Sequence, residues 1–125
     1  MVTDSMDEVQ RYQAWAMGTI RFAADLLCEE AFSRAFGKGF WDGVVNDGER
    51  IALIHSELSE ALEGLRHGNG PSEHIPEFNC AEEEMADAVI RIADLCGGRR
   101  WRLGEAIVAK MRFNLRRERK HGKAF

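Results

Sequence analysis

The stretch IHSELSEALEGLR, residues 54–66, decides the fold class, because its apolar residues recur at helical spacing. On a helix turning about 100° per residue, Ile51, Ile54, Leu58, Ala61, Leu62 and Leu65 fall within about 100° of one another and predict a core stripe. Glu57 lies about 40° outside one edge of that stripe, and Glu60 roughly 60° further round. The stretch EEEMADAVIRIADLCG, residues 82–97, repeats the arrangement. Met85, Ala88, Val89, Ile92, Leu95 and Cys96 form its stripe, Glu84 sits about 20° beyond the edge, and Asp87 follows roughly 60° on. If the two helices pack together, four carboxylates can converge at their seam. Like charges so placed raise one another's pKa and destabilise the fold unless a cation joins them. Oxygen-only donors suit Mg²⁺ or Mn²⁺ rather than zinc. The same spacing also fits two solvated helix flanks: acids are 21 of 125 residues, and Glu60 and Glu63 make a further i, i+3 pair.

Outward from these two helices, the chain reads as helix throughout. A first helix is expected from near Ser5, where Ser5 and Glu8 fit a capping box, through residue 36. Gly37, Gly39 and Gly43 mark a loop that carries Phe40 and Trp41. Phe40 reads as core; Trp41 reads either as a base-stacking ring or as a staple holding the loop to the core. The second helix is expected from Asn46 or Asp47 to about Arg66, the third over 79–96 with a stop at Gly97-Gly98, and the fourth from about Leu103 to Arg117. Gly68, Gly70, Pro71 and Pro76 punctuate the loop between the second and third. These elements predict one all-α domain over residues 1–125, an antiparallel helical bundle of four or five helices with a basic tail at 118–125.

Composition bounds the function. Hydrophobic residues are 45% and charged residues 30% of the chain, a globular mixture, with a net charge of −4 that argues against bulk polyanion binding. Charge is uneven, however: Lys110 to Lys123 holds seven Lys or Arg against one acid, Glu118. The tail lacks interleaved aromatics before Phe125, so a nucleic-acid role ranks low. No CxxC pair occurs among the three cysteines. Their odd number and the absence of a leader-like start lead us to expect a cytoplasmic protein, and no apolar run suits a membrane span.

The wording around the acids resembles the MazG-like branch of the all-α nucleoside triphosphate pyrophosphohydrolases. The resemblance rests on GFWDGVVNDGE, IALIHSELSEALEGLR, EEEMADAVIRIADLCG and AIVAKMRFNLRRERKHGKAF, in that order, and covers roughly residues 37 to 125. The family's ExxE and ExxD motifs fall here on Glu57, Glu60, Glu84 and Asp87. Ser56 stands where some relatives carry a further acid, and Glu83 matches a doubled acid before the second motif. The resemblance implies a bundle that dimerises or forms a dimer of dimers, with Mg²⁺ held by the four acids. It implies hydrolysis of a nucleoside triphosphate, often a deoxy one, to the monophosphate and pyrophosphate.

Lys110 and Asn114 lie four apart on the fourth helix, with Arg117 about one turn further, so the three share a face. Lys110 can pair with phosphate, Asn114 can donate or accept near sugar or phosphate, and Arg117 offers a bidentate phosphate contact. The resemblance supports Lys110 and Asn114 more than Arg117. A basic helix end that complements the helix dipole is the alternative. Lys120, with the rest of the tail, could close over phosphates. Asp94 falls on the acidic face, either supporting the site or pairing with a base, and Arg91 reads as an i, i+4 partner of Asp87. A non-catalytic nucleotide-binding, metal-binding or protein-interaction module is the competing reading of the whole chain.

Overall fold

The computed structural model describes residues 6–124. Among these residues the chain is all-helical, with no strand beyond one isolated bridge between Pro71 and Asn79. Four α-helices follow in order, α1 (Glu8–Gly37), α2 (Asp47–Arg66), α3 (Cys80–Arg99) and α4 (Leu103–Leu115), before a short 3-10 turn at Arg119–Gly122. No helix among the described residues is long and apolar enough to cross a membrane. The chain divides into two compact units. One comprises Leu27–Trp101; the other joins the chain up to Leu26 with the chain from Arg102 onward.

The helix starts follow from local side-chain chemistry. Asn46 caps α2 by accepting from the Glu49 N–H at 3.0 Å. Asn79 caps α3 in a reciprocal box with Glu82, the two bonds measuring 2.9 and 2.8 Å. At α1 a similar exchange joins Asp7 and Gln10, at 2.7 and 3.0 Å. The expected Ser5 cap lies outside the described residues, as does Phe125 of the tail.

α3 does not stop at Gly97-Gly98 but runs on to Arg99, where Arg100 turns it off in the left-handed region at φ 56°. The two glycines are there for close approach. A Cβ at Gly97 would lie 2.4 Å from the Cys28 carbonyl oxygen of α1, and one at Gly98 would lie 2.2 Å from the Trp41 ring.

Within Leu27–Trp101, α2 and α3 pack antiparallel. Asp47 meets Arg99 at 2.7 Å, Arg50 meets Asp94 at 2.9 Å, Glu57 meets Arg91, and Gly64 abuts Cys80. The seam on α2 therefore follows Arg50, Ile54, Glu57, Ala61 and Gly64, a 3–4 spacing of coiled-coil type. Its counterpart on α3 runs through Cys80, Glu84, Asp87, Arg91, Asp94 and Gly98. This corrects the expected stripes. Of the six apolar residues assigned to the core of α2 only Ala61 is buried, at 1% exposure, while Leu58, Leu62 and Leu65 are about half exposed. On α3, Ala88, Leu95 and Cys96 are buried as expected, but Met85, Val89 and Ile92 are exposed, and Ala93 and Asp94 are buried instead. Small residues at the seam let the backbones approach, and the charges beside them are drawn in. The large apolar residues are left along the outer edges.

The second unit is held by its own contacts. Arg21 bridges α1 to Glu105 of α4 at 3.1 Å, and Gly104 sits so close to the Arg21 carbonyl that a Cβ would lie 2.8 Å from it.

Candidate functional site

The turn geometry of α2 and α3 brings three of the four motif acids together. One carboxylate oxygen each from Glu57, Glu60 and Glu84 lies within 4.8 Å of the others. Glu57 is buried, Glu84 half-buried and Glu60 exposed, so the group opens from the helix seam to solvent. Asp87, one turn beyond Glu84, is half-buried and outside this triplet.

Crowding shifts the pKa values of these groups. Burial and then the neighbouring Glu57 and Glu60 carboxylates push Glu84 up to about 7. Burial, followed by the charges of Glu57 and Glu83, also raises Asp87. Glu57 moves the other way: burial alone would raise it, but hydrogen bonds from Arg91 and Glu84 outweigh that and hold it below the ordinary carboxylate range. The Arg91 contact is a correction. Arg91 was expected to pair along its own helix with Asp87, yet its Nε donates across the seam to Glu57. Glu57 is buried and Asp87 only half-buried, and leaving the more buried charge without a partner costs more.

Three carboxylate oxygens at this spacing would offer hard donors of the kind that Mg²⁺ or Mn²⁺ takes. Among the described residues no nitrogen or sulfur donor joins the triplet, an oxygen-only set of the kind these ions take.

Glu83 is engaged elsewhere. It accepts from His74 at 2.6 Å, which lowers its pKa and raises that of His74. This pair ties the 67–79 loop to α3. Ser72, buried beneath, accepts from the Ile75 N–H at 3.1 Å and tightens the same loop.

Trp41 is built into a staple. Its indole N–H donates to Asp94 at 2.8 Å, Arg50 stacks over its ring at 4.0 Å, and Phe32 meets it edge-on at 5.2 Å. Of the two readings of this ring, the geometry matches the staple. Asp94 is thereby satisfied twice, by Trp41 and by Arg50 at 2.9 Å. It pairs with a base rather than supporting the carboxylate triplet. Phe40, expected in the core, is 69% exposed. Arg34 and Lys38, near the end of α1, went unread in the sequence, although both line the cavity that Glu57 and Asp87 also reach. An i, i+4 pair of bases on a helix flank carries no signal until a neighbouring cavity is known.

Lys110, Asn114, Arg117 and Lys120 belong to the other unit. α4 ends at Leu115, so Arg117, expected on the fourth helix, lies past its end; Lys110 Nζ lies 4.6 Å from the Phe113 ring centre and the Arg117 guanidinium 5.8 Å from it. The Asn114 Oδ1 atom is buried with no hydrogen-bond partner among the described residues. Lys120 lies in the 3-10 turn with its backbone at φ 56°.

Comparison of the chain with protein-family models, with curated proteins and with solved structures gives no match in any of the three.

Proposed function

We propose that this chain is a MazG-like, Mg²⁺-dependent nucleoside triphosphate pyrophosphohydrolase that cleaves a nucleoside triphosphate, preferably a deoxynucleotide, to the monophosphate and pyrophosphate. The observation that carries this reading is the convergence of Glu57 and Glu60 from α2 with Glu84 from α3, their oxygens within 4.8 Å of one another. Glu57, Glu60 and Glu84 would hold the cation, with Asp87 one turn on as the fourth acid of the motif. When bound, a divalent cation neutralises phosphate oxygens and stabilises the charge of an in-line displacement. In that displacement a water oxygen bonds to the α-phosphorus, the bond to the α–β bridging oxygen breaks, pyrophosphate leaves, and the water's proton is released.

The chain's own residues do the rest. Arg91 keeps Glu57 ionised at the seam, and the Glu83–His74 pair holds the loop beside the acids. The unpartnered Asn114 Oδ1, an acceptor, supports a contact with a sugar hydroxyl, while Lys110 on the same helix and Arg117 just past its end offer cations to phosphate. A second copy of the chain covers the apolar edges of α2 and α3, giving a homodimer or a dimer of dimers. The exposed Leu58, Leu62, Leu65, Met85, Val89 and Ile92 support that assembly, because a core this small gains much from burying them.

The test is a panel of ribo- and deoxynucleoside triphosphates with Mg²⁺ or Mn²⁺, with products identified. Pyrophosphate and monophosphate in equal amounts are expected. Release of single phosphates, or no turnover of any triphosphate, overturns the reading.

A further inference from the structure

Within Leu27–Trp101 lies an open cavity of about 680 Å³, inside the size range of small-molecule sites. Three kinds of side chain line it: the acids Asp42, Glu49, Glu57, Asp87 and Asp94, the bases Arg34 of α1 and Lys38 just after its end, and apolar surface that includes Phe40 and Val44 from the glycine loop. Two further arginines on the wall are committed, Arg50 to Asp94 and Arg91 to Glu57. Lys38 forms no salt bridge among the described residues. Arg34 has only an exposed i, i+4 contact with Glu30 at 3.3 Å, the kind of pair that is worth little and exchanges readily. The Phe40 backbone is held on both sides: its N–H donates to the Ala35 carbonyl at 3.1 Å, and its carbonyl accepts from Arg50. A fixed backbone thus presents a ring that is 69% exposed.

We propose that this cavity is the berth of the nucleotide, with Arg34 and Lys38 pairing its phosphates and Phe40 and Val44 contacting its base. The proposal rests on the pyrophosphohydrolase reading and adds to it the residues that hold the substrate. A polyphosphate beside these carboxylates is repelled unless cations stand elsewhere on the wall, and Arg34 and Lys38 are the lining cations not committed to a buried acid. An aromatic ring serves any base through its face, so Phe40 supplies affinity and the loop around it supplies preference.

Calorimetric titration with Mg²⁺ tests the berth, using an α,β-imido deoxynucleoside triphosphate, which resists cleavage at that bond, and the matching deoxynucleoside. Arg34→Ala and Lys38→Ala are each expected to weaken triphosphate binding by about tenfold, since a hydrogen bond to a charged group is lost. Deoxynucleoside binding is unchanged in both. Phe40→Ala weakens both ligands, and Arg66→Ala, which removes an equal charge outside the cavity, weakens neither. Arg34→Gln and Lys38→Gln repeat the measurement with helix-favouring side chains and should show the same loss. Unchanged triphosphate affinity in the Arg34 and Lys38 variants overturns the berth. Cleavage assays on the same proteins separate the two readings. A wild type that binds with this pattern but does not cleave overturns hydrolysis and keeps the berth. A wild type that cleaves, with variants of unchanged KM, keeps hydrolysis and overturns the berth.

Discussion

Two places along the α2–α3 seam bury acids, and they are resolved in opposite ways. Near the start of α2, Asp94 is met by the Trp41 indole and the Arg50 guanidinium, at 2.8 and 2.9 Å, and Arg50 stacks on the same ring. Each polar group has a partner, and the loop, α2 and α3 are locked by it. Two turns along, Glu57, Glu60 and Glu84 face one another with one base, Arg91, donating to Glu57. Glu84 is left to hold its proton up to about 7. The same helices and the same 3–4 spacing thus yield a closed polar network and an open one. Unbalanced charge at a helix seam is costly, and the open end is for that reason the place to test the proposed cation site.

The contrast breaks first at the open end. Glu60→Gln or Glu84→Gln is expected to lower pyrophosphate release by more than about a hundredfold, above the loss typical for groups that merely support a metal ligand, with helical content unchanged by circular dichroism. Asp94→Ala should leave Arg50 unpaired at the closed end and cost about 3 kcal/mol in urea unfolding. A loss of activity there with no loss of stability would reverse the assignment of the two ends. Gly97→Ala forces a Cβ to within 2.4 Å of the Cys28 carbonyl oxygen, and is expected to cost about 1–3 kcal/mol.

Smaller effects sharpen the comparison through pH. Glu84 is raised from 4.5 to about 7, so the unfolded chain releases this proton first and stability falls as pH rises through that window. Glu84→Gln should therefore raise Tm by a few degrees at high pH and leave it unchanged below 4.5. Mg²⁺ should release a proton from the wild type near neutrality, read as a buffer-dependent binding enthalpy. The weakest effect belongs to His74 and Glu83. Glu83's contribution is complete above 4.5 and is lost as pH falls through its lowered pKa. His74's is complete below 6.5 and is lost as pH rises through its raised pKa. An NMR titration of the His74 ring should show that raised value in the wild type and its return toward 6.5 in Glu83→Gln.

Residue order alone placed the starts of α2 and α3, because Asn46 and Asn79 cap through bonds spanning three residues. It also singled out Glu57, Glu60, Glu84 and Asp87, of which the first three converge, since helical phase sets which side chains share a face. The orientation of the seam was another matter. Apolar width suggested Leu58, Leu62 and Leu65 as core, but close approach at Gly64 and Ala61 turned the acids inward. Helical phase says which residues lie together on a helix, and not which of two adjoining faces meets the neighbour. That choice depends on packing distance between chain segments, as do the Trp41 staple, the Arg91–Glu57 pair and the cavity beside Arg34 and Lys38. Each is a contact between residues too far apart in the chain for any local pattern to record.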